Sequence, residues 1–275
     1  MEIIIYSFIT LGVMGIGAGV LLYYTARKFS VPVDSRVEEI TQILPGANCG
    51  ACGYASCRAL ARAIIEEAAS PSSCIAGGAV VADKIADILG REKEPGTGDR
   101  KVAVVQCRGG CDKAGDRFKY TGLQDCRAAV LTGGGPKACS YGCLGLGSCV
   151  TACPFGALDM GPDGIPVVDE DKCTGCGKCV AVCPRGIIAL IPRWQNVFLG
   201  CVSHDKLKKV KEVCSVGCIA CGLCVRPGIG SEEDIIMEDN LPRLRPRENK
   251  DLAVALDQAI AKCPSKCFVV RHPIK

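Results

Sequence analysis

The chain begins with one long apolar segment and continues with much shorter ones. Residues 3–24 contain no charged side chain, and a run of 22 residues is long enough for a membrane-spanning helix. Arg27 and Lys28 follow it, and basic residues at the end of such a helix stay in the cytoplasm. In a cleaved signal peptide, basic residues would precede the run, whereas only Glu2 does. The pattern therefore predicts a single-pass membrane anchor with the rest of the chain on the cytoplasmic side.

Three amphipathic helices are predicted directly after this anchor. Apolar residues at helical spacing indicate the first, which would begin at a capping box formed by Ser35 and Glu38. The second is predicted from about residue 58 to residue 69, and the third from about residue 79 to residue 89. Gly90 follows the third helix and is expected to end it. A small helical domain is therefore expected here.

Short strands are predicted further along the chain. Residues 101–106 form one β-branched segment, and residues 157–169 are predicted as two strands around a turn at Asp163–Gly164. A helix is predicted from about Asp251 to Lys262. Residues 91–101 are charged and contain Gly and Pro, which is typical of a linker. The fold class is therefore α+β.

Composition indicates that something other than a large apolar core organises the chain. It has 275 residues, 48% of them apolar but only 5% aromatic, and it contains 22 cysteines. A net charge of +4 is too small to imply nucleic-acid binding, and two histidines are few for a protein with several zinc sites. Because a cytoplasmic location disfavours disulfides, the thiols are predicted to be metal ligands.

The first four cysteines lie in the helical domain and have the spacing Cys-x2-Cys-x4-Cys-x16-Cys. Zinc sites usually have two Cys-x2-Cys pairs, and the second pair is missing here. Glycines beside the thiols let backbone N–H groups approach the sulfurs, which stabilises an anionic cluster. Spacing therefore favours a 4Fe–4S cluster over zinc. The predicted ligands are Cys49, Cys52, Cys57 and Cys74.

Two later motifs have the spacing of a bacterial ferredoxin with two clusters. Residues 173–184 form a full Cys-x2-Cys-x2-Cys-x3-Cys-Pro run, in which the fourth cysteine ligates the other cluster. Residues 139–154 form a modified copy that lacks the middle cysteine and has Cys139 upstream instead. The predicted ligands of one 4Fe–4S cluster are Cys139, Cys143, Cys149 and Cys183. Those of the other are Cys153, Cys173, Cys176 and Cys179.

Residues 213–225 repeat the first copy of this motif, which indicates a second, degenerate ferredoxin-like unit. The repeat has no Cys-Pro of its own, but Cys263 precedes a proline much later in the chain. Cys214 is the rival fourth ligand, because it aligns with Cys139. The predicted ligands are Cys218, Cys221, Cys224 and Cys263.

The remaining cysteines allow one more cluster. Cys107, Cys111 and Cys126 would bind it, with Cys201 or Cys214 as fourth ligand. Free buried thiols are the alternative, since no standard spacing fits. Four 4Fe–4S clusters are therefore predicted, or five with this group. No role is predicted for Cys267.

The predicted domain order places the anchor first. The boundaries are 1–28 for the transmembrane anchor, 29–90 for the small helical 4Fe–4S domain, 91–101 for the linker, 102–134 for the segment with Cys107, Cys111 and Cys126, 135–194 for the two-cluster ferredoxin domain and 195–275 for the degenerate unit. Residues 205–212 and 243–247 are basic. They are predicted either to attract an acidic electron-carrier protein or to form ordinary solvated faces. The sequence has no Gly-rich nucleotide loop and no Ser/His/Asp arrangement from which to argue catalysis.

This order of anchor, "NCGACGYASC" segment and ferredoxin motifs resembles the B subunits of Rnf complexes, the ion-translocating ferredoxin:NAD⁺ oxidoreductases of microbial membranes. The resemblance covers nearly the whole chain; the third cysteine copy departs from it, because family members often carry two full motifs there. It implies an electron relay from reduced ferredoxin toward NAD⁺, coupled to Na⁺ or H⁺ translocation in the cell membrane. The implied partners are ferredoxin and the Rnf subunits A, C, D, E and G.

The residues also allow two other functions. The chain could be the ferredoxin-like subunit of another membrane-bound hydrogenase or dehydrogenase complex, against which the first cysteine domain argues. It could instead be a zinc-binding scaffold or nucleic-acid-binding protein, against which the Cys-x3-Cys-Pro spacing argues.

Overall fold

A computed structural model describes residues 2–29, 34–92, 100–230, 233–247 and 251–271, so most of the predicted linker lies outside the described residues. Helix α1 spans Glu2–Lys28, and within the described residues it is the helix long and apolar enough to cross a membrane. Its apolar side chains from Ile4 to Tyr24 are exposed. Water would solvate such a surface poorly, which favours its burial in a bilayer.

The small helical domain consists of α2 (Ser35–Ile43), α3 (Cys57–Ile65) and α4 (Gly78–Leu89), with a 3₁₀ turn at Pro71–Ser73. The three predicted helices are present, but the first begins differently. Asp34, not Ser35, is its cap, and the Asp34 carboxylate accepts a 2.9 Å hydrogen bond from the Arg36 N–H.

The core of this domain is aliphatic. Its fully buried side chains come from all three helices and include Ile40, Leu60, Ile64 and Ile85. Burying each contributes about 1.5–3 kcal/mol. The cysteine loop between α2 and α3 packs against this core, so its thiols are held on a rigid base.

The ferredoxin core is built from two antiparallel strand pairs. The outer pair joins β1 (Lys101–Val105) to β4 (Ile188–Pro192), and the inner hairpin joins β2 (Leu158–Met160) to β3 (Pro166–Val168). Short helices α5 (Cys126–Leu131), α6 (Ser148–Thr151) and α7 (Lys178–Val182) carry cysteines at or near their ends. The boundary predicted at residue 135 separates β1 from the sheet that it joins.

The C-terminal unit repeats this strand order. Its outer pair joins β5 (Val197–Leu199) to β8 (Phe268–Val270), and its hairpin joins β6 (Ile235–Glu238) to β7 (Leu241–Leu244). The helices are α8 (Leu207–Val213), α9 (Leu252–Ala255) and α10 (Asp257–Lys262), with a 3₁₀ turn at Leu223–Val225. The single helix predicted over 251–262 is thus two, because Leu256 leaves helical geometry at φ −107° and ψ 15°.

A largely buried ion pair joins the C-terminal unit to the ferredoxin core. The Arg271 guanidinium is 6% exposed and binds the Glu170 carboxylate, with 2.6 Å between Nε and Oε1. It also donates to the Gln195 carbonyl at 2.9 Å. This contact fixes the last strand of the second unit against the first.

Candidate metal centres

Twenty of the 22 cysteines lie in five groups of four, four of which surround cavities. No three Cys, His, Asp or Glu side chains in the described ranges are close enough to bind one metal ion directly. Each group includes side chains that are distant in sequence, and in every group a backbone N–H lies beside a thiol sulfur.

The N-terminal group consists of Cys49, Cys52, Cys57 and Cys74, the four residues indicated by their spacing, and they line one cavity. Its loop turns at Gly50 and Gly53, where φ is +73° and +86°, conformations that side chains with a Cβ rarely adopt. The Asn48 side chain accepts a 2.8 Å hydrogen bond from the Cys57 N–H, which fixes the loop to the start of α3. Burial raises the pKa of the Cys74 thiol.

The first core group consists of Cys153, Cys173, Cys176 and Cys179, the same four residues that the ferredoxin spacing indicates. Burial raises the pKa of Cys179 to about 12, with smaller contributions from Cys173 and Cys176. Cys153 contributes in the same way to the raised pKa of Cys176. The Ala103 N–H donates to Cys173 Sγ at 3.4 Å, and the Ala157 N–H donates to Cys153 Sγ at 3.3 Å.

The second core group differs from the prediction. Cys143, Cys149 and Cys183 line a cavity together with Cys126, and Cys139 is not in it. The 143–149 loop lacks a middle cysteine, and α5 brings Cys126 to the position that this cysteine would occupy. Burial raises the pKa of Cys143 to about 12 and that of Cys149 to about 11.

Two local contacts position Cys126. Asp125 caps α5 by accepting the Arg127 N–H at 2.7 Å. The Cys126 N–H donates to Ser148 Oγ at 2.7 Å, which ties α5 to the first residue of α6. The sequence signal for this contact is weak, since Cys126 lies outside both ferredoxin motifs.

An interunit group combines cysteines from both units. Cys107, Cys139, Cys201 and Cys214 line one cavity between the ferredoxin core and the C-terminal unit. The predicted extra group had Cys107 with Cys111 and Cys126, but Cys126 lies in the second core group and Cys111 is exposed and lines a different surface cavity.

The C-terminal group consists of Cys218, Cys221, Cys224 and Cys263, which line one cavity, and Cys214 is not in its lining. Sequence analysis missed the role of Cys267, which lies at the same cavity and is 1% exposed. Its hydrogen bonds lower the pKa of Cys218 to about 7 and that of Cys263 to about 6.

Cys267 could have been found from the repeat. It follows Cys263 at the spacing by which Ala157 follows Cys153. In both places the later residue donates its N–H to the sulfur of the earlier one, at 3.3 Å. Cys267 therefore lies beside Cys218 and Cys263, and its thiol donates to the Val216 carbonyl at 3.4 Å.

These groups suit iron–sulfur chemistry. Four thiolates around a cavity provide the ligand set of a 4Fe–4S cluster, and N–H···S hydrogen bonds stabilise its negative charge and adjust its reduction potential. Thiols whose pKa is raised by burial are protonated when empty, so binding a cluster releases their protons.

Two family models match the chain. One is described as "Putative Fe-S cluster" and matches residues 44–76, which include the N-terminal group. The other is described as a "4Fe-4S dicluster domain" and matches residues 137–187, within the ferredoxin core.

Curated relatives match almost the whole chain. The B subunit of the proton-translocating ferredoxin:NAD(+) oxidoreductase complex of Clostridium ljungdahlii is 39% identical over 96% of this chain and 92% of its own length. The B subunit of the ion-translocating oxidoreductase complex of Methanosarcina acetivorans is 38% identical over 98% of this chain and 99% of its own. The B subunit of the Na(+)-translocating ferredoxin:NAD(+) oxidoreductase complex of Acetobacterium woodii is 42% identical over 94% of this chain and 75% of its own.

Proposed function

Because the chain belongs to the family of B subunits of ion-translocating oxidoreductase (Rnf) complexes, we propose that it accepts electrons from reduced ferredoxin and passes them toward the membrane subunits and NAD⁺. The energy released would drive Na⁺ or H⁺ translocation by the complex. The partners within the membrane would be the other Rnf subunits, A, C, D, E and G.

In this proposal four groups hold 4Fe–4S clusters: the N-terminal group, the two core groups and the C-terminal group. When bound, the clusters supply one-electron redox chemistry at low potential. The chain supplies sixteen thiolate ligands, the N–H groups that stabilise negative charge and the packing that fixes the distances between centres. Cys126 takes the place in the second core group that sequence analysis assigned to Cys139.

The observation that carries the proposal is the close approach of successive groups. Cys49 of the N-terminal group lies near enough to Cys176 of the first core group to add to the effect of burial in raising the pKa of that thiol. Helix α6, which carries Cys149 of the second core group, packs against α7, which carries Cys179 of the first, and Cys149 contributes in the same way to the raised pKa of Cys179. Neighbouring centres of this kind support electron transfer from one group to the next.

The ends of this series suit a path toward the membrane. The N-terminal group follows α1, which indicates membrane anchoring, and Arg27 and Lys28 at the end of α1 support a cytoplasmic location for the redox domains. At the other end, Cys221 of the C-terminal group is exposed and offers access to a donor. The basic helix α8 precedes this group, and its lysines would attract an acidic carrier such as ferredoxin.

The test uses the full chain, purified anaerobically in detergent, with iron, zinc and acid-labile sulfide measured first. Reduced ferredoxin should bleach the visible absorbance of the protein, and the extent should approach that obtained with dithionite. A protein that dithionite reduces but reduced ferredoxin does not would contradict the proposed donor. Stoichiometric zinc in place of iron and sulfide would contradict the redox function itself.

A further inference from the structure

We propose that the interunit group, Cys107, Cys139, Cys201 and Cys214, binds a fifth 4Fe–4S cluster at the junction of the two ferredoxin-like units. The four thiols are supplied two by each unit and line one cavity. The other four groups use sixteen of the cysteines. Of the six that remain, Cys111 is exposed and Cys267 lies beside the C-terminal group, which leaves these four. The proposal rests on the proposed function only for the role of the site, not for its existence.

Glycines bring the backbone close to these sulfurs. A Cβ on Gly109 would lie 3.2 Å from Cys214 Sγ and 3.9 Å from Cys107 Sγ, so both sulfurs flank this one residue. A Cβ on Gly142 would lie 3.5 Å from Cys139 Sγ. Larger residues at these positions would occupy the space beside the thiols, as expected for a cavity built to hold a group.

The four thiols occupy equivalent positions in the two units. Cys107 is the second residue after β1, and Cys201 is the second residue after β5. Cys139 lies four residues before Cys143, and Cys214 lies four residues before Cys218. The site is therefore one ligand pair used twice, once from each copy of the repeat.

The hydrogen bonds at the site repeat in the same way. The Cys143 N–H donates to Cys107 Sγ at 3.4 Å, and the equivalent Cys218 N–H donates to Cys201 Sγ at 3.3 Å. The Ser203 N–H donates to Cys201 Sγ at 3.4 Å. Donors aimed at sulfurs from both units stabilise negative charge, which four free thiols would not require.

A buried cation lies at the same cavity. Lys137 is 8% exposed, and its ammonium group lies 3.0 Å from Asp116 Oδ1 and 3.3 Å from the Ala114 carbonyl oxygen. Burying a lysine is costly unless negative charge compensates it. An anionic cluster beside Lys137 would add compensation to that from Asp116, whose side chain is 58% exposed.

The site would connect the two units electrically. The amide that bonds to Cys107 belongs to Cys143 of the second core group, and the amide that bonds to Cys201 belongs to Cys218 of the C-terminal group. Single peptide groups therefore separate ligands of the interunit site from ligands on either side. The five groups then follow in the order N-terminal, first core, second core, interunit and C-terminal.

The site can be tested by measuring the iron and sulfide content of the full chain, which requires no electron donor. The unaltered protein should contain about 20 iron atoms, and the double variant Cys139→Ser/Cys214→Ser about 16. Cys111→Ser is the matched control and should keep about 20, because this exposed cysteine belongs to none of the groups. An unaltered protein with about 16 iron atoms, an unchanged count in the double variant, or one zinc per chain would each overturn the proposal.

The double substitution could disrupt the contact between the two ferredoxin-like units, so a variant that keeps all four cysteines provides a second test. Lys137→Met should keep all the iron and lower the midpoint potential of one reduced EPR signal, because a nearby positive charge stabilises the reduced, more negative state. A titration in which every midpoint is unchanged would contradict the site. Neither measurement uses ferredoxin, so both results remain valid even if ferredoxin is not the electron donor.

Discussion

The ion pair between Arg271 and Glu170 should contribute strongly to the attachment of the C-terminal unit. Substituting Glu170→Gln keeps the size of the side chain but leaves the guanidinium, 6% exposed, without a counter-charge. Removing one partner of a buried pair costs about 3–5 kcal/mol. Since the Glu170 side chain is 24% exposed, solvent reduces this, and we expect about 2–3 kcal/mol.

Urea denaturation under anaerobic conditions measures this effect through the loss of cluster absorbance. With a denaturant dependence of about 1–2 kcal/mol per molar urea for a unit of this size, the midpoint should fall by roughly 1–3 M. The matched control is Glu238→Gln, which breaks the Arg243 pair, whose side chains are 61% and 53% exposed. It should cost about 0–0.5 kcal/mol.

A second comparison separates the ion pair from the loss of hydrogen bonds. In the double variant Glu170→Leu/Arg271→Met the uncompensated charge is absent, so most of the lost stability should return. Equal small shifts for Glu170→Gln and Glu238→Gln would refute the reasoning, as would a double variant less stable than Glu170→Gln.

Three further predictions concern the cluster sites and the apolar core of the small helical domain. Cys126→Ser should cost one ferredoxin-core EPR signal and about four iron atoms, whereas retention of full iron would return Cys139 to that site. Cys267→Ala should keep all iron but lower the midpoint potential of one cluster, because the polar thiol beside Cys218 and Cys263 is lost; loss of iron would instead identify Cys267 as a ligand. Ile64→Ala should destabilise the helical domain by about 2–5 kcal/mol in urea denaturation, and the exposed Val80→Ala should have little effect; equal shifts would show that the α3 core does not support this domain.

Much of the architecture followed from local patterns. The uncharged run predicted α1, the β-branched run predicted β1, and the Asp163–Gly164 turn predicted the β2–β3 hairpin, because each is decided by neighbours in sequence. The Cys-x2-Cys loops also placed their thiols together, since three ligands in one tight loop have little freedom.

The ligands that sequence could not place arrive from elsewhere in the chain. Cys126 reaches the second core group through the packing of α5 on α6, and no spacing rule records that contact. Once Cys126 takes this position, Cys139 is available to the interunit group beside Cys107. The repeat did contain the missing signal, because Cys139 aligns with Cys214 and both stand outside their own loops.

The sequence spans of the five proposed sites imply an order of assembly during synthesis. The N-terminal site is complete once Cys74 has left the ribosome, and it can be filled while the rest of the chain is still being made. Residues 153–179 lie within residues 126–183, and these lie within residues 107–214, so the three middle sites are nested. The ligand sets of these sites are therefore synthesised from the inside outward, and the interunit site has all its cysteines only after both core sites have theirs.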